Sequence, residues 1–376
     1  MKTFFSTAGD FDAFVALITD ADRTGFGTLL VLACDANEWP AERMTKVLNG
    51  LQTPAYGGIF PQIAVRDRSH EQGVLIIGLN EACDTAVISG MSDTEADFED
   101  QIVTQVENWE NPEDCGTLLV LVDGLSSRIS ALVQDLFLTF GLDNNFIGGG
   151  TGSLSFVKKP CIMTPKGLLA DAAIVIKIPR VSVIGVTHGW TSIGDVMEVT
   201  EADRNIVKSL NWQPAFEVYK QTVDSHSPQA IEKETFFDVA KSYPLGLDKL
   251  EAELIVRDPL MSTEEGHLVC VGEVPRGALI RILNGTSDTL IRAAQDARDR
   301  IEQTAAGMSG DLILFDCISR VLFLGTDIEQ EISAVSRGEP VFGAFTLGEI
   351  ANNGRDYLEF LNKTTVLARL GRSAQS

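Results

Sequence analysis

Apolar residues along the chain fall into one pattern three times. A stripe at helical spacing comes first: Phe11, Phe14, Val15 and Ile18; then Phe98, Ile102, Val103, Val106 and Trp109; then Leu290, Ile291, Ala294, Ala297 and Ile301. Spacing of three and four residues puts such side chains on one helix face. Each stripe precedes a glycine-opened, nearly uninterrupted apolar run, at residues 27–34, 116–123 and 310–317, that predicts a buried strand. A small-residue turn follows each run: Tyr56-Gly-Gly-Ile-Phe-Pro-Gln62, Ile147-Gly-Gly-Gly-Thr-Gly-Ser153 and Val341-Phe-Gly-Ala-Phe-Thr-Leu-Gly-Glu-Ile350.

A second helix is marked in two copies. Ile129, Leu132, Val133, Leu136, Phe137 and Phe140 share one face, with Ser126 or Ser127 as its cap and Gly141 as its stop. In the third copy Thr326-Asp-Ile-Glu329 has capping-box spacing and Gly338 takes the terminating position. The third copy alone inserts Cys317-Ile-Ser-Arg320-Val-Leu-Phe-Leu-Gly325 after its strand. A unit used three times is a scaffold, so function is expected where the copies differ.

A shorter repeat, hairpin then helix, runs from Met197 through the strand Ile206 to Leu210 into a helix entered through Pro214, and returns from Leu268 into the helix after Thr286. The expected fold is mixed α/β, built from repeated helix–strand–helix–hairpin units and a hairpin–helix pair, with mixed sheets. Two domains are expected, residues 1–182 and 183–376, with the seam between Ile178 and Gly185.

Composition narrows the partners. Fifty-three acidic against 30 basic residues give a formal charge of -23, which repels nucleic-acid backbones and anionic lipid surfaces. No apolar run approaches the ~20 residues of a membrane helix, and the first ten residues do not lead into a secretory signal; we expect a cytoplasmic protein without nucleic-acid or membrane partners. Six scattered cysteines lack any CxxC pair and read as reduced core residues rather than disulfides or a metal site.

Several dispersed segments together resemble the FIST family, named for F-box and intracellular signal transduction proteins: Tyr56 to Gln62, Gly148-Gly-Gly-Thr-Gly-Ser153, Thr187-His-Gly-Trp190, Phe315-Asp-Cys-Ile-Ser-Arg320, Phe342 to Glu349 and Asn362-Lys-Thr-Thr365. The resemblance implies an N-terminal and a C-terminal FIST domain and a role in sensing small ligands, amino acids among them. It also implies a signalling partner such as a histidine kinase or a cyclic-nucleotide enzyme.

The candidate chemistry sits at strand ends, where α/β proteins place binding residues. Arg320 offers a planar fork for a carboxylate and Glu349 a counter-charge for an α-amino group; alternatively the two pair with each other. Cys317 lies beside them. Gly149 and Gly150, and Gly343 in the third copy, either mark close packing or give backbone N–H groups to a ligand carboxylate; no Walker lysine follows, and Leu154-Ser-Phe-Val157 read as a strand rather than a helix. His188, next to Gly189 and Trp190, either bonds at a domain seam or is the axial ligand of a noncovalent haem, a reading implied by haem-based nitric-oxide sensors that resemble this family. The leading expectation is a non-enzymatic sensor for an amino-acid-like ligand held by Arg320, Glu349, Cys317 and nearby glycines. Trp190 is expected as a wall of the ligand pocket; a haem sensor using His188, and an enzyme using Cys317 as nucleophile, are the alternatives.

Overall fold

In the computed structural model, which describes residues 1–110, 115–249, 253–305, 307–352 and 358–372, the apolar runs form the central strands Thr28–Cys34, Thr117–Asp123 and Gly310–Cys317. Their side chains alternate between two environments. Leu30, Leu119 and Ile313 enter one core shared by all three copies. Leu29, Leu118 and Leu312 pack instead under the helices of their own copy. A strand covered on both faces has no polar side, which is why these runs show no alternation.

Each copy runs edge strand, helix, central strand, helical segment, parallel strand, hairpin and returning antiparallel strand. In the first copy these are Lys2–Ser6, Phe11–Asp22, Thr28–Cys34, Ala41–Asn49, Ala55–Phe60, the hairpin, and Val74–Leu79. The small-residue segments are the parallel strands Ala55–Phe60, Asn145–Thr151 and Val341–Thr346 rather than turns. One glycine recurs there for a physical reason. Gly57 lies opposite Val31, Gly148 opposite Val120 and Gly343 opposite Leu314. A Cβ on each would come within 1.8, 1.9 and 1.7 Å of the facing carbonyl oxygen.

The hairpins do not stay in their own copy. Gln62–Arg66 and Arg68–His70 of the first copy extend the third copy's sheet, with Val65 opposite Phe342. Ile162–Thr164 and Gly167–Leu169 of the second extend the first, with Ile162 opposite Gly58. Glu349–Ala351 and Glu359–Leu361 of the third extend the second, with Glu349 opposite Gly149. The exchange is cyclic, so every sheet is completed by another copy. Two of these strand pairs, Gln62–Arg66 with Arg68–His70 and Glu349–Ala351 with Glu359–Leu361, cross the expected seam at 178–185, and the strand Ser182–Thr187 is the edge of the third sheet.

Between its edge strand and its first helix the third copy carries an insertion whose antiparallel strands close on themselves. Leu245–Leu247 pairs with both Ile255–Ser262 and Leu279–Asn284, which completes the ring. Helices Ala215–His226 and Phe236–Ala240 fill it with Phe216, Tyr219 and Phe236. The helix after Thr286, Ser287–Thr304, belongs to the third copy and packs on its edge strand, where Thr187 donates to the Ala293 carbonyl at 2.7 Å.

Three local expectations change. Residues 154–157, which follow a strand and look like another, form a turn: the Ser153 hydroxyl accepts the Ser155 N–H at 3.0 Å, and the Phe156 N–H returns to the Ser153 carbonyl at 3.1 Å. The box at 326–329 does not form, because a 3-10 turn at Gly325–Asp327 feeds the helix Ile328–Ser336 without a side-chain cap. Neither Ser126 nor Ser127 caps the helix Ile129–Phe140, whose cap position is Arg128, while Gly141 ends it as expected.

Candidate functional site

The segment peculiar to the third copy folds as the short helix Ile318–Leu324 and carries Arg320 into a fully buried position. All five guanidinium N–H groups are used. Nε donates to Glu331 Oε1 at 3.0 Å; one terminal nitrogen donates to the carbonyls of His188 at 2.7 Å and Lys363 at 3.2 Å. The other donates to the Leu290 carbonyl at 3.1 Å and Glu331 Oε2 at 2.5 Å. Asp316 Oδ1 lies 3.3 Å from Nε. The counter-ions of Arg320 are thus Glu331 and Asp316, not Glu349, and no donor is left for a ligand.

Glu349 is also fully buried but sits in a separate network. Thr346 Oγ1 donates to its Oε1 at 2.8 Å, and the Thr364 N–H to its Oε2 at 3.3 Å. Burial pushes its carboxyl up to about 8, against the smaller pull of these donors and of Cys317. Gly149 and Gly150 press on the same strand turn: a Cβ would meet the carbonyl oxygens of Gly348 and Leu347 at 2.4 Å. The Gly150 N–H bonds the Gly348 carbonyl at 2.8 Å, so its donor is spent within the fold. These glycines, like Gly343, seat one copy against another.

His188 is buried, with 7 % of its surface exposed. Its Nδ1 accepts the Trp190 N–H at 2.9 Å, which leaves the proton on Nε2, 3.5 Å from Glu253 Oε1. Burial, with Arg320 and Arg300 nearby, holds the imidazole down at about 4. Trp190 gives its indole N–H to the Lys363 carbonyl at 3.2 Å and packs on Phe323. His188 and Trp190 line none of the three clefts of about 230–350 Å³ described for this chain, and Nε2 faces the Glu253 carboxylate. These residues do not fit a haem.

Of the expected side chains Arg320, Glu349, Cys317, His188 and Trp190, Cys317 is the one that lines the cleft between the second and third copies. This cleft, of about 350 Å³, opens at the carboxyl ends of the second and third central strands, against the inserted barrel. Its walls are Leu125, Phe156, Phe237, Leu322, Leu347 and Phe360, with Cys270 and Cys317 in the floor. Burial and the Glu349 and Asp258 carboxylates push the Cys317 thiol far above the ordinary thiol range, so it is a neutral wall atom rather than a poised nucleophile.

The polar groups of the cleft are not among the expected ligand contacts. Asn362 is 1 % exposed, and its Oδ1 has no hydrogen-bond partner among the described residues. Ser319 Oγ is committed to Asp258 Oδ2 at 2.7 Å, and Asp258 in turn faces Lys363 Nζ at 3.2 Å. Arg204, exposed and at positive φ in the turn between two barrel strands, stands at the rim. The signal for Asn362 was a polar run, Asn362 to Thr365, set between the apolar residues Phe360 and Val366.

Comparison with protein families finds the FIST N domain over residues 28–213 and the FIST C domain over residues 215–352. The two matches meet inside the inserted barrel. No curated protein matches the chain.

Proposed function

This chain belongs to the FIST family, whose domains are associated with sensing in signal transduction, and from that premise we propose that it is a non-enzymatic sensor that holds an amino-acid-like ligand in the cleft between its second and third copies. The observation that carries the reading is Asn362 Oδ1. A buried acceptor without a partner costs about 1–3 kcal/mol, and a ligand N–H placed there recovers that cost. Arg204 at the rim supplies the fork for a carboxylate. The apolar walls take the side chain, and about 350 Å³ suits a compact molecule. This moves the proposed ligand contacts from Arg320 and Glu349 to Asn362 and Arg204, while Cys317 stays as part of the floor.

Occupancy reaches a signalling partner through the parts that the cleft joins. The Leu347 and Gly348 wall leads directly into the hairpin that the third copy lends to the second, and Asn362 lies at its return. A thermal-shift screen of the twenty amino acids, followed by calorimetry on the best, tests the reading. Asn362→Leu is expected to weaken binding about tenfold, the worth of one hydrogen bond to a buried group. Arg204→Ala is expected to weaken an amino acid but not its amide. Binding indifferent to both substitutions, or no melting shift with any amino acid, contradicts it.

A further inference from the structure

A second cleft of about 350 Å³ lies at the carboxyl end of the first central strand, where the first and second copies meet. Its position repeats that of the first cleft in the pseudo-symmetric scaffold, yet its chemistry is different. Three carboxylates, Asp35, Glu38 and Asp123, and one ammonium, Lys159, line it, with Asp123 held by the Leu125 and Asp171 N–H groups. We propose that this cleft is a separate binding site for a small organic cation, an ammonium group on a compact apolar body. The site does not depend on what the first cleft binds.

Asp35 is the anchor. Its Oδ2 accepts the Ser153 hydroxyl at 2.5 Å, which fixes the carboxylate, while its Oδ1 faces Lys159 Nζ at a loose 3.6 Å. The Lys159 side chain is 53 % exposed, so this pair is weak and exchangeable. An incoming ammonium takes the place of Lys159, which swings into water. Glu38 is exposed at the mouth; its N–H bonds the Asp35 carbonyl at 3.0 Å, and its carboxylate, with no hydrogen bond or ion pair among the described residues, supplies a second anion. The remaining wall is apolar and rigid: Trp39 gives its N–H to the Gly9 carbonyl at 2.7 Å and stacks on Phe14 with ring centroids 4.6 Å apart. An aromatic wall beside carboxylates favours a cation. Burial pushes the Cys34 and Cys161 thiols up to about 12, which keeps them neutral and adds no competing charge. The net charge of -23 raises the local concentration of cations further.

Three probes of one shape separate the charge from the shape: phenethylamine, 3-phenylpropionate and 2-phenylethanol, titrated calorimetrically into the full chain. Phenethylamine is expected to bind at least tenfold more tightly than the other two. Asp35→Asn, which keeps the shape, is expected to cost it about tenfold, Glu38→Gln less, and Lys159→Met to tighten it a few-fold, with Arg204→Ala and Asn362→Leu without effect. Circular dichroism melts confirm that each variant is folded. Equal binding of the three probes, or no binding of phenethylamine at millimolar concentration, overturns the proposal. So does phenethylamine binding that Asn362→Leu abolishes and Asp35→Asn leaves unchanged, since the amine would then sit in the first cleft.

Discussion

Arg320 joins four segments that are distant in sequence: the end of the Ser182–Thr187 strand through His188, the helix Ser287–Thr304 through Leu290, the helix Ile328–Ser336 through Glu331, and the loop at Lys363. Removing it leaves Glu331 and Asp316 buried without a counter-ion, an effect of about 3–5 kcal/mol. Arg320→Met is therefore expected to lower the urea midpoint of unfolding steeply, and Arg320→Lys to recover only part, because one ammonium cannot reach five acceptors. A variant that keeps parental stability contradicts the structural role. Glu349 gives a pH signature with a definite sign. Its folded carboxyl, near 8, holds a proton that the unfolded chain releases as pH rises through the ordinary carboxylate range near 4.5. The folded state thus binds more protons, and stability falls between about 4.5 and about 8. Glu349→Gln keeps an acceptor for Thr364 and gives Thr346 a donor, so it is expected to match the parent in stability at pH 4.5 and exceed it at pH 8. Equal slopes for the two proteins would contradict the burial effect.

At the scale of elements, the sequence made the helices and central strands legible because their apolar residues repeat with the period of the structure. Phe11–Asp22 and Ser287–Thr304 begin at Asp10 and Thr286, whose side chains cap them. What it concealed was partnership. A hairpin such as Gln62–Arg66 with Arg68–His70 satisfies its backbone as well on another copy's sheet as on its own, so no local residue records the exchange. The site was partly legible for the same reason. The cleft opens at strand ends and Cys317 lines it, but charge at a strand end does not reveal direction. Arg320 and Glu349 turn inward to buried partners, whereas Asn362 and Arg204 were polar residues in ordinary-looking turns. The recurring glycines were read as either packing or ligand contacts, and their geometry favours packing. Gly343→Ala would place a methyl group 1.7 Å from the Leu314 carbonyl oxygen. It is expected to cost more than about 3 kcal/mol, since backbone rather than a movable side chain must yield, and the soluble yield on expression reports it. A normal yield and melting temperature would show that the parallel pair can open.

For the whole molecule, cyclic exchange makes each copy's sheet depend on the next. The strands at 62–66 and 68–70 need the third copy, and the strands at 349–351 and 359–361 need the second. The chain is expected to unfold in one transition, with calorimetric and van't Hoff enthalpies that agree, and residues 1–182 alone are expected not to fold; two resolved transitions would mean that the halves hold independently. The same interlocking brings the two central-strand ends and the barrel together around the first cleft, and that cleft is where the sensing role stands or falls. Hydrogen-exchange mass spectrometry, with the amino acid that gives the largest melting shift at saturation, locates its site without any mutation. Protection is predicted at 124–130, 270–273, 317–322 and 360–362, the segments that line the cleft. Protection that misses all four segments would contradict the assignment of the cleft as the sensor's binding site.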